Sequence, residues 1–212
     1  MRKPSASRGA AAGETPRSKI AMDERILATA DRLFYRQGIR AIGVDTIAAE
    51  TGISKRTLYN HYPSKEALIL AYLRGRFGMM TTADDGLAGA SPAEQILGVF
   101  ERLERSIGQP GFHGCPFVNA VAEIGEPAGG SDADAIAVAF KEERRLWMRR
   151  RLEQLGIADP DGLATQLALL IDGCVALGLV RRDPAMARAA QAAARTLLVA
   201  AGVTLPAVRA LP

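Results

Sequence analysis

Apolar residues recur at the spacing of an α-helix along most of this chain. The first apolar stripe lies within residues 23–37 and consists of Ile26, Leu27, Ala30, Leu33 and Phe34. Gly38 follows it, at a position where helices commonly end because glycine readily adopts a left-handed backbone. No segment shows sustained alternation of apolar and polar residues bounded by hairpin turns. The pattern therefore predicts an all-α chain of about nine helices.

Residues that cap helix N-termini indicate where the later helices begin. A short second helix is expected from Val44 to Gly52, and Ser54 precedes a third that runs to about Tyr59. The later start signals are Ser64, Ser91, Ser131, Asp159 and Asp183. Three of these five are followed directly by proline, the residue favoured in the first turn of a helix.

The second and third helices form the frame of a helix-turn-helix. They span Asp45–Thr51 and Ser54–Tyr59, with Gly52 at the turn. In the third helix Leu58 is expected to point inward. The outward positions carry Lys55, Arg56, Thr57 and Asn60, whose side chains can donate hydrogen bonds to base edges or phosphates.

The formal net charge of +4 is unevenly distributed. The first 78 residues hold fourteen basic and seven acidic residues, whereas the rest of the chain holds thirteen basic and sixteen acidic ones. A negatively charged partner, either nucleic acid or an anionic surface, is therefore expected at the N-terminal end. Residues 1–20 lack the apolar stretch of a secretory signal and are predicted to be a disordered basic arm, which is either a solvated tail or an auxiliary phosphate contact.

Residues 47–68 have the sequence IAAETGISKRTLYNHYPSKEAL. This run resembles the DNA-binding domain of TetR-family transcriptional repressors, and the resemblance covers about residues 22–72. It implies a helix-turn-helix DNA-binding domain at 21–72 and a helical domain at 73–212 for ligand binding and dimerisation. The function it implies is that of a cytoplasmic, homodimeric repressor that a small-molecule effector releases from a palindromic operator in double-stranded DNA.

The resemblance also implies roles for individual residues. Lys55, Arg56 and Thr57 would face the major groove, Tyr59 would pack on the DNA backbone and thymine methyls, and His61 and Lys65 would hold phosphates. With Asn60, the predicted DNA-binding set is Lys55, Arg56, Thr57, Tyr59, Asn60, His61 and Lys65. The chain departs from the family at Ile42-Gly43-Val44, where a Thr or Ser often precedes the second helix. A phosphate contact there would have to come from backbone N–H groups.

The last two helices, at about 160–180 and 184–201, are the dimer interface that the resemblance implies. One face of the first helix carries Leu163, Leu167, Leu170, Ile171, Cys174 and Leu177. The matching face of the second carries Met186, Ala190, Ala193, Leu197 and Leu198. The alternative is that these faces form the core of a bundle within one chain. A dimer also agrees with DNA reading, because two recognition helices must lie ~34 Å apart to read a palindrome.

An effector pocket in the C-terminal domain should be lined by apolar groups with a few polar ones. The candidate lining residues are Phe77, Met80, Phe100, Phe112, Phe117, Asn119, Phe140 and Trp147. Aromatic residues at helical spacing are also the ordinary content of a core, so each candidate has that second interpretation.

Catalytic and metal-binding patterns are not found in the sequence. With two His, two Cys and no glycine-rich loop after a strand, we expect no enzyme activity, no metal and no cofactor. Cys174 lies on an apolar face and is expected to be an inert buried thiol. Cys115 lies near a helix start, where a thiol can have a lowered pKa and act as a redox sensor.

A second function is conceivable, that of a basic amphipathic protein at a membrane surface. Residues 162–180 contain a single formal charge, Asp172, and approach the ~20 residues of a membrane span. A carboxylate at the centre of a span costs about 2.5–3.5 kcal/mol. A helix buried between proteins therefore accounts better for this stretch, and we expect no membrane association.

Overall fold

The computed structural model describes residues 16–85, 89–124 and 130–205. In this part of the chain there are nine α-helices and no strands, as the hydrophobic pattern predicted. The helices are α1 (Pro16–Gln37), α2 (Val44–Thr51), α3 (Lys55–His61), α4 (Lys65–Asp85), α5 (Pro92–Ile107), α6 (Pro116–Ile124), α7 (Asp132–Gln154), α8 (Pro160–Arg181) and α9 (Ala185–Ala200).

Most helices begin at the caps that the sequence predicted. The Ser54 hydroxyl accepts the Thr57 N–H, and Ser91 and Glu94 form a reciprocal capping box at the start of α5. Ser131 forms a second capping box, with Asp134, at the start of α7. Each cap satisfies N–H groups that a helix leaves without partners at its N-terminus.

Two helix starts differ from the prediction. Helix α1 begins at Pro16, a residue type favoured in the first turn, so residues 16–20 of the predicted arm are helical. Residues 1–15 of that arm lie outside the described residues. Helix α9 begins at Ala185, whose N–H is held by the Asp183 carboxylate at 2.9 Å.

The buried side chains form two apolar clusters. One cluster joins α5, α8, α9 and the C-terminal half of α7. The other contains the core of α1–α4 together with side chains from α6 and from the N-terminal half of α7. The helix-turn-helix unit therefore shares its core with two helices that follow residue 72, the end of the predicted DNA-binding domain.

Three phenylalanines make this shared core continuous. The rings of Phe117 (α6) and Phe140 (α7) are stacked, with their centroids 4.1 Å apart. Phe77 (α4) meets both rings edge-on, at 6.5 and 5.6 Å. Edge-to-face and offset stacked geometries are favourable for aromatic pairs beyond the apolar area that they bury. Helices α4, α6 and α7 are therefore held together at one point.

Most residues of the predicted dimer faces of α8 and α9 are buried or half-buried within one chain. Buried within one chain are Leu163, Leu167, Ile171 and Cys174 of α8, together with Ala190 and Leu198 of α9. Leu170, Met186, Ala193 and Leu197 are half-buried, and only Leu177 is exposed. The intramolecular alternative is the correct one for the buried set, because α8 and α9 pack on each other and on α5.

Helix α8 is also the one described helix that is long and apolar enough to cross a membrane. In its most apolar 18-residue window, 33% of the residues are buried inside the structure. Core helices of soluble proteins have the same length and composition. One side of α8 is part of the hydrophobic core, because Leu163, Leu167 and Ile171 are buried.

The aromatic stack predicts a large and local effect on stability. We expect Phe140→Ala to lower the free energy of unfolding by about 3–5 kcal/mol, because the ring is fully buried against Phe117. Val138→Ala on the same helix is the control and should change it by less than about 0.5 kcal/mol, since Val138 is 69% exposed. Urea unfolding followed by circular dichroism measures both. Equal effects would contradict the role given to the stack.

Candidate nucleic-acid interface

The turn between α2 and α3 fixes the direction of α3. Gly52 has a φ of 71°, a left-handed conformation that favours glycine. Its N–H bonds the Ala49 carbonyl, and the N–H of Ile53 bonds the Ala48 carbonyl, both at 3.0 Å. Ile47 and Leu58 are fully buried on either side of the turn. The opposite side of α3 is therefore held facing solvent.

Four members of the predicted DNA-binding set lie on this outer side of α3. Lys55, Arg56 and Asn60 are exposed, and the Tyr59 side chain is 39% exposed. Thr57 is half-buried, and its hydroxyl lies 2.9 Å from that of Ser54. Two cations, an amide and a phenol ring are thus brought together on one short helix face.

An ion pair joins the outer face of α3 to α2. The Lys55 ammonium lies 3.0 Å from the Asp45 carboxylate, and both side chains are at least half exposed. The hydrogen bond that the Lys55 ammonium donates to Asp45 raises the pKa of Lys55 above its usual value. Asp45 at the same time places a negative charge on the surface that presents the cations.

His61 does not lie on the outer, solvent-facing side of α3. Its side chain is only 2% exposed, and Nδ1 lies 2.6 Å from the Asp23 carboxylate on α1. The Tyr62 hydroxyl is directed to the backbone carbonyl of the same aspartate. The imidazole is turned inward, so the expectation that it holds a phosphate does not fit this structure. Its contacts join α3 to α1.

Lys65 makes a hydrogen bond within the protein that the sequence did not predict. Its Nζ donates a hydrogen bond to the Ile39 carbonyl at 2.6 Å, in the segment that leads from α1 to α2. The side chain is half-buried. An ammonium group has three donors, so this bond leaves capacity for a phosphate oxygen.

The comparisons with known proteins agree with this geometry. The sequence profile described as "Bacterial regulatory proteins, tetR family" matches residues 26–72. The HTH-type transcriptional regulator Rv1255c of Mycobacterium tuberculosis is 33% identical over 158 residues, which are 66% of this chain and 76% of that protein. The chain belongs to the TetR family. It is therefore a DNA-binding transcription regulator rather than an enzyme.

Two further relatives show how far this similarity extends. YerO of Bacillus subtilis, also an HTH-type transcriptional regulator, is 43% identical over 77 residues, but this covers only 34% of the chain and 27% of YerO. The crystal structure of a TetR-type regulator from Streptomyces avermitilis is 34% identical, with a TM-score of 0.76 over 86% of this chain and 99% of that one. The whole fold, and not only the helix-turn-helix, is thus of the TetR type. Nothing in these comparisons favours the membrane-surface alternative.

The N-terminus of α2 presents the backbone donors that the sequence led us to expect there. Gly43 is its N-cap and no side chain accepts a hydrogen bond from the first turn. Thr46, in that turn, is exposed. Backbone N–H groups at a helix N-terminus attract anions. The signal in the sequence was Gly43 itself, which stands where many TetR regulators have a hydroxyl residue.

The predicted effector residues of this TetR protein lie in several places. Met80 and Phe112 line a cavity of about 170 Å³ between α1, α4, α5, α6, α7 and α8, and Phe117 lines a larger open groove. Phe77 and Phe140 belong to the aromatic stack, while Phe100 and Trp147 are buried in the C-terminal core. The Asn119 amide donates to the His113 carbonyl at 2.8 Å.

The small cavity lies at the contact between the DNA-binding helices and the C-terminal helices. Tyr35 of α1 donates a hydrogen bond from its hydroxyl to the Gly114 carbonyl at 3.0 Å and accepts one from the His113 N–H at 3.1 Å. The Arg76 guanidinium of α4 lies 4.2 Å from the centre of the Tyr35 ring. Two hydrogen bonds, of 2.5 and 2.8 Å, join this guanidinium to Asp31.

The two cysteines differ in their surroundings. Burial, with a smaller effect of Asp172, raises the pKa of the Cys174 thiol to about 11, so it is protonated at neutral pH. Cys115 is half-buried at the cavity. Within the described ranges there is no group of three or more His, Cys, Asp or Glu that could hold a metal ion.

The Asp45–Lys55 pair predicts that one carboxylate weakens DNA binding. We expect Asp45→Asn to raise affinity for duplex DNA about three- to fivefold at low salt, since removing one charge a few ångströms from a phosphate is worth about 1 kcal/mol in water. Fluorescence anisotropy at several salt concentrations measures the change. Glu143→Gln, which removes an equal charge from the C-terminal helices, is the matched control and should have no effect. Unchanged affinity in Asp45→Asn would show that this face does not approach DNA.

Proposed function

We propose that this TetR regulator is a cytoplasmic homodimeric repressor that binds a palindromic operator and leaves it when a small-molecule effector binds the C-terminal helices. The observation that carries the proposal is the outer face of α3, where Lys55, Arg56 and Asn60 are exposed beside Tyr59. A dimer bound to an operator excludes other proteins from the same stretch of DNA. Repression follows from that exclusion.

In this proposal the residues divide into two groups by what they contact. Lys55, Arg56, Thr57 and Asn60 of α3 face base edges in the major groove, where Arg commonly pairs with guanine and Asn with adenine. Tyr59, Lys65 and the N–H groups at the start of α2 contact the DNA backbone. Phosphate contacts set position and affinity, while base contacts set sequence preference.

The outer side of α8 and α9 is the surface that we propose for the dimer. On α8, Leu169, Leu177 and Val180 are exposed at helical spacing, and on α9 Val199 is exposed. Small residues lie between them, including Gly173 and Ala192, which allow helices from two protomers to approach closely. Contiguous exposed apolar surface on a soluble protein commonly indicates a protein interface. This face shares Leu177 with the face expected from the resemblance, whose other residues are buried or half-buried within one chain.

The effector acts in this proposal through the contact between Tyr35 and residues 113–114. A ligand changes DNA affinity only as far as it binds one arrangement of the helices better than the other. The small cavity touches α1 and α4, which belong to the DNA-binding unit, and α7 and α8, which do not. A ligand there can therefore favour one relative placement of the two α3 helices.

The test of operator binding uses duplexes tiled across the DNA that flanks the gene, measured by fluorescence anisotropy at several salt concentrations. We expect one tile to bind two protomers tightly at moderate salt.

On that tile Arg56→Ala should relax base preference, at a cost of about 1–3 kcal/mol. Lys65→Ala should weaken all tiles alike and lower the salt slope by about one. Uniform losses in both variants would contradict the division of roles, and weak, salt-sensitive binding to every tile would contradict a specific operator in this region.

The dimer surface makes a separate prediction. Leu177 is 53% exposed on α8, and we expect Leu177→Asp to raise the dimer dissociation constant about a hundredfold or more, because an unpaired carboxylate in a buried interface costs several kcal/mol. Sedimentation equilibrium measures the constant. Ile20→Asp on α1 replaces a residue of similar exposure outside that surface and should leave the dimer intact. A dimer unaffected by Leu177→Asp would place the interface elsewhere.

A further inference from the structure

Two adjoining hollows meet at one ion pair. The outer one is the open groove of about 570 Å³ between α6, α7 and α8, and the inner one is the small cavity of about 170 Å³ that touches α1 and α4. Lys141, Arg144 and Asp172 line both. The Lys141 ammonium is paired with the Asp172 carboxylate at this shared wall. The Lys141 side chain is about a third exposed and the Asp172 side chain nearly half exposed.

The outer groove has an apolar lining. Val118 and Val121 of α6 and Val138 of α7 are exposed along it, and Phe117 and Ala168 also line it. Its size is in the range of pockets that hold small organic molecules, about 300–1,000 Å³. An apolar ligand body placed there would cover three valines that otherwise face water.

The inner cavity combines apolar side chains, among them Met80, Phe112 and Val175, with a cluster of cations. Arg76, Lys141 and Arg144 line it, with Asp172 as the one carboxylate. Asp31, which is hydrogen-bonded to Arg76, is a further carboxylate nearby. Among the side chains that line the cavity, cations outnumber carboxylates three to one. Guanidinium and ammonium groups bind carboxylates and other oxyanions through charge-assisted hydrogen bonds. The chemistry of this cavity therefore matches a small anionic group.

We propose that the two hollows together bind an amphipathic organic acid, with its anionic group between Arg76, Lys141 and Arg144 and its apolar body in the groove. This inference deepens the proposed function, on which it rests, by naming the class of the effector. Its anionic group would replace the Asp172 carboxylate at Lys141. The hollow it enters is also lined by Arg76 and by Tyr35, whose hydroxyl is hydrogen-bonded to residues 113 and 114.

Binding of an anion in the inner cavity would also lower the affinity for DNA. An anion near Arg76 competes with Asp31 for the guanidinium that lies over the Tyr35 ring. Helices α1 and α4 are then less firmly held in the arrangement described here. Ligand binding and DNA binding favour different arrangements, so each lowers the affinity of the other by the same factor.

The test uses the full chain and eight-carbon probes that differ only in the polar group: octanoate, octanol and octylammonium, with 4-phenylbutyrate as an aromatic acid. Isothermal titration calorimetry without DNA measures binding. We expect the acids to bind at least about tenfold more tightly than octanol and octylammonium, because only the acids complement the cationic cavity. Octanol binding as tightly as octanoate would overturn the anionic part of the proposal. Failure of both acids to bind would overturn it entirely.

Substitutions test whether octanoate binds in the groove and the inner cavity. Lys141→Gln and Val138→Asp should each weaken octanoate binding about tenfold or more, the first by removing a cation and the second by adding a carboxylate to the groove. Val138 is exposed, so its variant does not depend on repacking a core. Arg150→Gln removes a cation from the same helix at a surface pair with Glu143 and should bind octanoate normally. Equal binding by Val138→Asp would place the acid elsewhere.

Two further measurements separate this proposal from its alternatives. Anisotropy on the operator tile without ligand tests DNA binding independently, so a failure of the acids to bind does not affect that result. Octanoate should release the tile from the unmodified protein and not from Val138→Asp. If Val138→Asp dissociates the dimer in sedimentation while the unmodified protein binds neither acid, a second copy of the chain covers the groove and the proposal is wrong.

Discussion

The burial of Phe117 and Phe140 in the core of the helix-turn-helix unit is the constraint on which the rest of the structure depends. The unit formed by α1–α4 has a small interior, and the stacked rings of α6 and α7 complete it. Since α4 packs on the same rings through Phe77, the direction of α4 is fixed by the C-terminal helices. The recognition helix is thus placed by residues far from it in the sequence.

Polar contacts surround this apolar connection and have a different character. Tyr35, Arg76 and Asp31 are joined by hydrogen bonds and a ring contact, and the Glu123 carboxylate accepts the Arg40 N–H at 2.9 Å. A typical hydrogen bond contributes only about 0.5–1.5 kcal/mol net, and one to a charged group about 1.5–3 kcal/mol. The apolar stack therefore supplies cohesion, whereas the polar contacts can exchange partners at small cost. This combination suits a regulator whose two parts must stay joined and still respond to a ligand.

Local signals were sufficient to predict the helices and the helix-turn-helix frame. Ser54, Ser91, Ser131 and Gly52 act within a few residues of themselves, so the sequence shows both the signal and its effect. His61 and Lys65 could not be placed in this way, because their partners Asp23 and Ile39 are distant in sequence. The resemblance identified the family and suggested the surface that we propose to face DNA. It could not show that the His61 and Lys65 side chains make contacts within the protein.

The faces of α8 show a limit of periodicity. This helix is apolar on two sides, with Leu167 and Ile171 in the core and Leu169 and Leu177 facing outward. A stripe of apolar residues indicates that a side is buried but does not identify what buries it. The same reasoning explains the two cores: Phe117 and Phe140 belong by sequence to the C-terminal domain and by packing to the unit formed by α1–α4.

The Tyr35 hydroxyl has a consequence for the order in which the protein folds. Its partners, His113 and Gly114, lie 78 and 79 positions further along the chain, whereas the contacts among α1–α4 are much closer in sequence. Closing a long loop costs conformational entropy that must be compensated by contacts made at the same time. We therefore expect the Tyr35 bonds to form late, after the helices on both sides. Losing them would speed unfolding and leave the folding rate nearly unchanged.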